Sequence, residues 1–117
     1  MRSLEDIKQR YLRDPISIRL GGLAANLLRV SSFAEHPDNQ KAVSNLLRES
    51  EFFIEWAAPD AEVETQAKLA ELQLQLALYY QRLSEIYQIQ SERERLIKQS
   101  KQWSDEILNL SGLLESL

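Results

Sequence analysis

The sequence predicts an all-α protein: a four-helix bundle over about 15–34, 38–58, 60–89 and 92–116, with a short helix in front. Three observations lead there. Apolar residues recur in steps of three and four along nearly the whole chain, which puts them on one face of successive helices. Three glycines and three prolines in 117 residues are fewer than average, so turns are few. From Asp60 onward there is no proline, and the only glycine is Gly112. A chain of this length reads as one domain, residues 1–117, with a modest core that needs no staples.

Residues 3–13 predict a short helix. Ser3 is placed to cap it, and Asp6 sits where a capping-box acid would. Leu4, Ile7, Tyr11 and Leu12 share a face. Ten residues are too few to hold a helix alone, so this arm must dock or fray. Asp14-Pro15 restarts the chain, with Asp14 as cap and Pro15 at the first helical position. The stripe that follows is Ile16, Leu20, Leu23, Leu27, Val30 and Ala34. Gly21 and Gly22 interrupt it, and each costs about 1 kcal/mol against alanine in a helix interior. Ser17, Gly21 and Ala25, four residues apart, form a smooth strip. It admits either a closely packed neighbour or a small ligand. Phe53 or Trp56 is expected to lie over it, making Ser17, Gly21, Ala25 and Phe53 the candidate ligand groove.

Glu35-His36-Pro37-Asp38-Asn39 is a turn. The next helix carries Val43, Leu46, Leu47, Ser50, Phe53, Ile54 and Ala57 inward and stops at Pro59. Phe52 and Trp56 fall on its shoulder, either as core or as an exposed binding surface. Asp60 is placed to cap the fourth helix, with Glu62 and Glu64 in its first turn. Its stripe is Val63, Ala67, Leu69, Leu72, Leu76, Tyr79, Leu83, Ile86 and Ile89, broadened by Tyr80 and Tyr87. A heptad then follows through Leu96, Ser100, Trp103, Ile107, Leu110, Leu114 and Leu117. Between them, Ser91 and Glu94 fit a capping box, and Arg93 stands where the stripe expects an apolar group. The chain folds back near residue 90 or else continues as one long helix. That helix, about 87 Å at 1.5 Å per residue, would need a coiled-coil dimer.

Charge is uneven. Residues 1–30 hold six cations and three acids, +3; residues 31–65 hold two and eight, −6; residues 66–117 hold six and seven, −1. The first two segments attract each other or a matching partner, or else the charges simply sit on solvated faces. The pI near 5.0 opposes nucleic-acid binding. Glu92 and Glu94 answer Arg93, Arg95, Lys98 and Lys101, while Arg2, Lys8, Arg10, Arg13 and Arg19 form only a sparse basic arm. The most apolar patch, Leu20 to Leu28, is too short to span a membrane, and Met1 to Asp6 lacks the apolar run of a signal peptide. A cytoplasmic protein is expected.

Chemistry is sparse. Without cysteine there is no disulfide, thiolate metal site or cysteine nucleophile. The single His36 lies in a polar turn, with no nucleophile elbow to serve. Glu-x-x-His pairs for a di-iron bundle are missing, and Gly21-Gly22 lacks the spacing of a phosphate loop. The expectation is a protein without catalytic residues, cofactor or metal: a protein-interaction or scaffold module whose partner is an unknown protein or a second copy of itself, as a homodimer. Phe52, Trp56, Trp103, Ile107, Leu110 and Leu114 form its candidate interaction surface. A small-ligand-binding bundle is the alternative.

Two stretches carry a resemblance. Arg13-Asp14-Pro15-Ile16-Ser17-Ile18-Arg19-Leu20-Gly21-Gly22-Leu23-Ala24-Ala25-Asn26-Leu27 is the first. Leu46-Leu47-Arg48-Glu49-Ser50-Glu51-Phe52-Phe53-Ile54-Glu55-Trp56-Ala57-Ala58-Pro59 is the second. Both resemble a family of small uncharacterised cyanobacterial proteins. The resemblance covers roughly the first sixty residues. It implies a four-helix architecture in a cyanobacterial cytoplasm and brings no activity, cofactor or site residue.

Overall fold

A computed structural model describes residues 3–116. Among them every regular element is helical: α1 (Leu4–Arg13), α2 (Ile16–Phe33), α3 (Gln40–Ala57), α4 (Val63–Ile86) and α5 (Gln90–Ser111). Short 3-10 turns cover Pro37–Asn39, Ala58–Asp60 and Leu113–Ser116. The four long helices form the bundle. The chain turns back between α4 and α5, so the single long C-terminal helix does not form.

α2 is the central helix. It packs most extensively on α5 and also lies along α3, while α3 packs on α4. Its buried side chains include the expected Leu20, Leu23, Leu27, Val30 and Ala34, plus Arg19, Ala24, Asn26 and Ser31. Small side chains let α2 and α5 approach closely. Ser104 Oγ donates to the Ala24 carbonyl at 2.7 Å, and Ser31 Oγ donates to the Ile97 carbonyl at 3.1 Å. These short hydroxyls satisfy themselves on backbone oxygens, so they are buried without an orphaned donor.

The element ends differ from the expected ones in instructive ways. Ser3 does cap α1, accepting from the Asp6 amide at 3.2 Å. Leu4 and Leu12 nevertheless stay exposed; Tyr11 carries α1 into the core, with Ile7 packed against it. Asp14 does not cap α2, because the Pro15 carbonyl already accepts the first helical bond from Arg19. Asp60 does not cap α4, because its carboxylate is taken by Arg19. The Ser91–Glu94 capping box is absent, since Ser91 already lies inside α5, whose cap is Ile89 in extended backbone. α5 ends at Ser111 rather than 116. Gly112 adopts φ 81°, a left-handed conformation that terminates helices and favours glycine.

The turn at 87–89 has neither glycine nor proline, and tertiary bonds replace them. Tyr87 is buried, and its hydroxyl donates to the His36 carbonyl at 2.7 Å. Arg93 Nη1 donates to the Tyr87 carbonyl at 2.9 Å, and its guanidinium lies 5.7 Å from the Tyr87 ring. That bond satisfies a carbonyl at the α4 terminus, which explains an arginine at an apolar register. Gln88 Nε2 adds a bond to the Pro37 carbonyl at 3.2 Å. Two turns at the same end of the bundle are thus fastened together.

Candidate functional site

The predicted residues separate into three places. Trp103 and Ile107 belong to the core, as do Leu96 and Ser100, so the heptad faces α2 and is not a free seam. The heptad period fits the α2–α5 packing as well as it fits a coiled coil, which is why sequence alone did not separate them. Leu110 and Leu114 are exposed near the end of α5, and Leu117 lies outside the described residues. Phe52 and Trp56 stand on α3, Trp56 buried in the core and Phe52 half-buried against it.

The proposed ligand strip is occupied. A Cβ at Gly21 would lie 2.6 Å from Leu113 Cδ1, so the glycine is the seat of the leucine that follows the C-terminal turn. Gly22 faces Tyr11, with a Cβ position 3.8 Å from Cε1. Ala25 is exposed and Ser17 half-buried. Phe53 does not cover the strip; it stacks on Tyr11, centroids 4.2 Å apart and planes 6° from parallel. The paired glycines thus serve packing on two sides, against Leu113 and against Tyr11.

What the shoulder of α3 does form is an aromatic groove. Phe52 stacks on Trp56 with centroids 5.6 Å apart. The Arg48 guanidinium sits 4.7 Å from the Phe52 ring centroid and 5.6 Å from that of Tyr80 on α4. Leu4 and Ile7 of α1 form the other wall, enclosing about 200 Å³. α3 supplies the floor because Arg48, Phe52 and Trp56 stand four residues apart along one row. Phe52 and Trp56 were legible in the sequence; Arg48, Tyr80, Leu4 and Ile7 were not. The Arg48–Phe52 spacing of four was the available signal, but Tyr80 and Leu4 arrive by tertiary packing alone. Chemically, the groove offers ring faces, a cation held between two of them and an apolar wall. Such a set grips apolar or aromatic side chains.

A second concavity of about 200 Å³ separates α4 from α5, which make little contact along their lengths. Gln75, Leu78, Tyr79, Arg82, Glu92 and Arg95 line it. Tyr79 leans edge-on against Trp103 at 5.8 Å, and burial pushes its phenol above the ordinary value of 10.0. Arg95 and Glu92 approach only to 3.8 Å.

His36 is exposed in its turn. Among the described residues no group of three or more His, Cys, Asp or Glu side chains is placed to hold a metal ion. No helix among them is long and apolar enough to cross a membrane. Compared with known families, curated proteins and solved structures, the chain finds no match.

Proposed function

We propose that this protein is a non-enzymatic interaction module that takes an apolar or aromatic segment of a protein partner into the α1–α3–α4 groove. The Arg48 guanidinium between the rings of Phe52 and Tyr80 carries this reading. Tyrosine, tryptophan and arginine dominate the anchors of protein interfaces, and here they meet in one concave, partly desolvated place. Leu4, exposed at the rim, adds apolar area that a partner would cover. The resemblance of residues 13–27 and 46–59 supports reading the module as one of a set of small helical proteins of the cyanobacterial cytoplasm.

Affinity capture from the native host tests it. Wild type is compared with Phe52→Ala and with Tyr80→Ala, each first shown to be folded by circular dichroism. The expected result is one partner retained by wild type and lost by both variants. A partner retained equally by both variants, or none retained by wild type, overturns the assignment of the groove.

A further inference from the structure

α4 carries two apolar faces, and only one is used. Leu69, Leu72, Leu76, Leu83 and Ile86 are buried against the bundle. On the opposite side, Val63 is 80% exposed, Leu74 64% and Leu78 51%, with Ala67 and Ala70 exposed beside them. At 3.6 residues per turn these five, with Glu71, share a stripe roughly 100° wide along a helix about 36 Å long. Isolated exposed leucines need no account, but an apolar stripe of about four turns, from Val63 to Leu78 and closed by Gln81 and Glu85, does.

The stripe is complementary to itself. Positions 74 and 78 are symmetric about 76. Run two copies of α4 antiparallel, with the two-fold axis at the level of Leu76. Leu74 then meets the second copy's Leu78, twice. Glu71 falls beside the second copy's Arg82 on the same flank. Neither Glu71 nor Arg82 has an ion-pair or hydrogen-bond partner among the described residues. Glu64 falls opposite Gln88 and Glu85 opposite Ala67, so the register sets no two like charges at the same level. The alanines on the same face let the two backbones approach.

We infer that a second copy of this chain docks antiparallel along the outer face of α4, with Leu74 packed on Leu78 and Glu71 paired with Arg82 across the two-fold axis. The inference deepens the reading of the protein as an interaction module and uses a face separate from the aromatic groove. One helix pair falls below the ~1,200 Å² of total buried area typical of stable complexes, so the dimer is weak and exchanging.

Sedimentation velocity on the purified full chain, from about 5 μM to about 1 mM, reads this equilibrium directly. Wild type is expected to shift from monomer to dimer across that range. Leu74→Glu is expected to stay monomeric throughout. Glu71→Arg and Arg82→Glu alone are each expected to weaken the dimer about tenfold, the size of one lost interfacial charge pair, and together to restore it. All three positions are exposed, so circular dichroism is expected to show each variant folded. A wild type that remains monomeric overturns the inference and leaves the face to an unlike helix. So does a dimer that persists in Leu74→Glu, or a double variant no tighter than the singles. Loss of partner capture by Phe52→Ala with the dimer intact would separate failure at one surface from failure at the other.

Discussion

Arg19 Nη2 donates to Asp60 Oδ2 at 2.9 Å, joining residues 41 positions apart. The same guanidinium donates from Nη1 to the Trp56 carbonyl at 3.3 Å and from Nε to the Asp14 carbonyl at 3.0 Å. One buried arginine therefore ties together the α1–α2 link, the end of α3 and the approach to α4. Tyr11 completes the knot, its hydroxyl donating to the Arg19 carbonyl at 2.7 Å. It is also the ion pair through which the +3 and −6 segments attract, although Asp60 itself is more than half exposed.

Arg19→Ala removes three donors and leaves two backbone carbonyls without a partner, with packing lost as well. A loss of about 2–4 kcal/mol is expected, measured by urea denaturation. Asp60→Ala is expected to cost only about 1 kcal/mol or less, because an exposed carboxylate is well screened by solvent. Equal losses for the two would show that the ion pair, rather than the carbonyl bonds, holds the knot.

The paired glycines are expected to respond differently to alanine. At Gly22 a Cβ meets Tyr11 at ordinary contact distance, so Gly22→Ala is expected to gain about 0.5–1 kcal/mol from helix propensity. At Gly21 the same gain is opposed by the clash with Leu113, so the net change is expected to lie within about 0.5 kcal/mol of zero. The readout that separates them is limited proteolysis. Gly21→Ala is expected to expose residues 113–116 to cleavage, and Gly22→Ala is expected to leave them protected.

Alkaline pH is expected to weaken the fold through Tyr11. Burial pushes its phenol far above the ordinary value of 10.0, with Arg19 pulling back only partly. The unfolded chain then gives up this proton near pH 10 while the folded chain keeps it, so stability is intact below pH 10 and falls as pH rises beyond it. Tyr87, also raised by burial, adds in the same direction. Tyr11→Phe is expected to lose about 1 kcal/mol at neutral pH with its bond to the Arg19 carbonyl, and to show a flatter decline above pH 10. Urea midpoints at pH 7, 10 and 11 check both, about one unit apart at the alkaline end.

The turn between α4 and α5 is expected to depend on bonds rather than on turn residues. Tyr87→Phe is expected to cost about 1 kcal/mol, and Arg93→Met a similar amount. Both act on the same link, so the double variant is expected to lose less than the two singles added. Strict additivity in a double-mutant cycle would show that the two side chains act independently.

The bundle was legible because its signal is periodic. Leu69, Leu72, Leu76 and Leu83 sit where steps of three and four put them, and so do Leu20, Leu23 and Leu27. The fold-back near 90 was legible from helix lengths, not from turn chemistry, since its fastening is Tyr87 on His36 and Arg93 on Tyr87. What failed were assignments that depend on which neighbour a residue meets. Asp60 looked like a cap because an acid before a helix usually is one, yet Arg19 competes for it. The strip at Gly21 looked open because Leu113 lies over ninety residues away in sequence. The heptad through Trp103 and Ile107 looked like a seam because helix packing inside one chain and between chains has the same period. Half of the groove was visible as Phe52 and Trp56; Tyr80 read as a residue broadening the α4 stripe, and Arg48 carried no role until α3 and α4 were side by side.

The attachment of α1 has a mechanical consequence. Its C-terminal half is pinned by Tyr11, between Phe53 and the Arg19 carbonyl, while Leu4 lies exposed and Ile7 half-covered. A ten-residue helix held at one end unwinds from the other at little cost to the rest of the fold. The groove is therefore expected to have two fixed sides and one that swings about the Tyr11 end of α1. Whatever enters must still the swinging side, so occupancy would be felt first as slowed amide exchange at residues 4–8, before any change elsewhere.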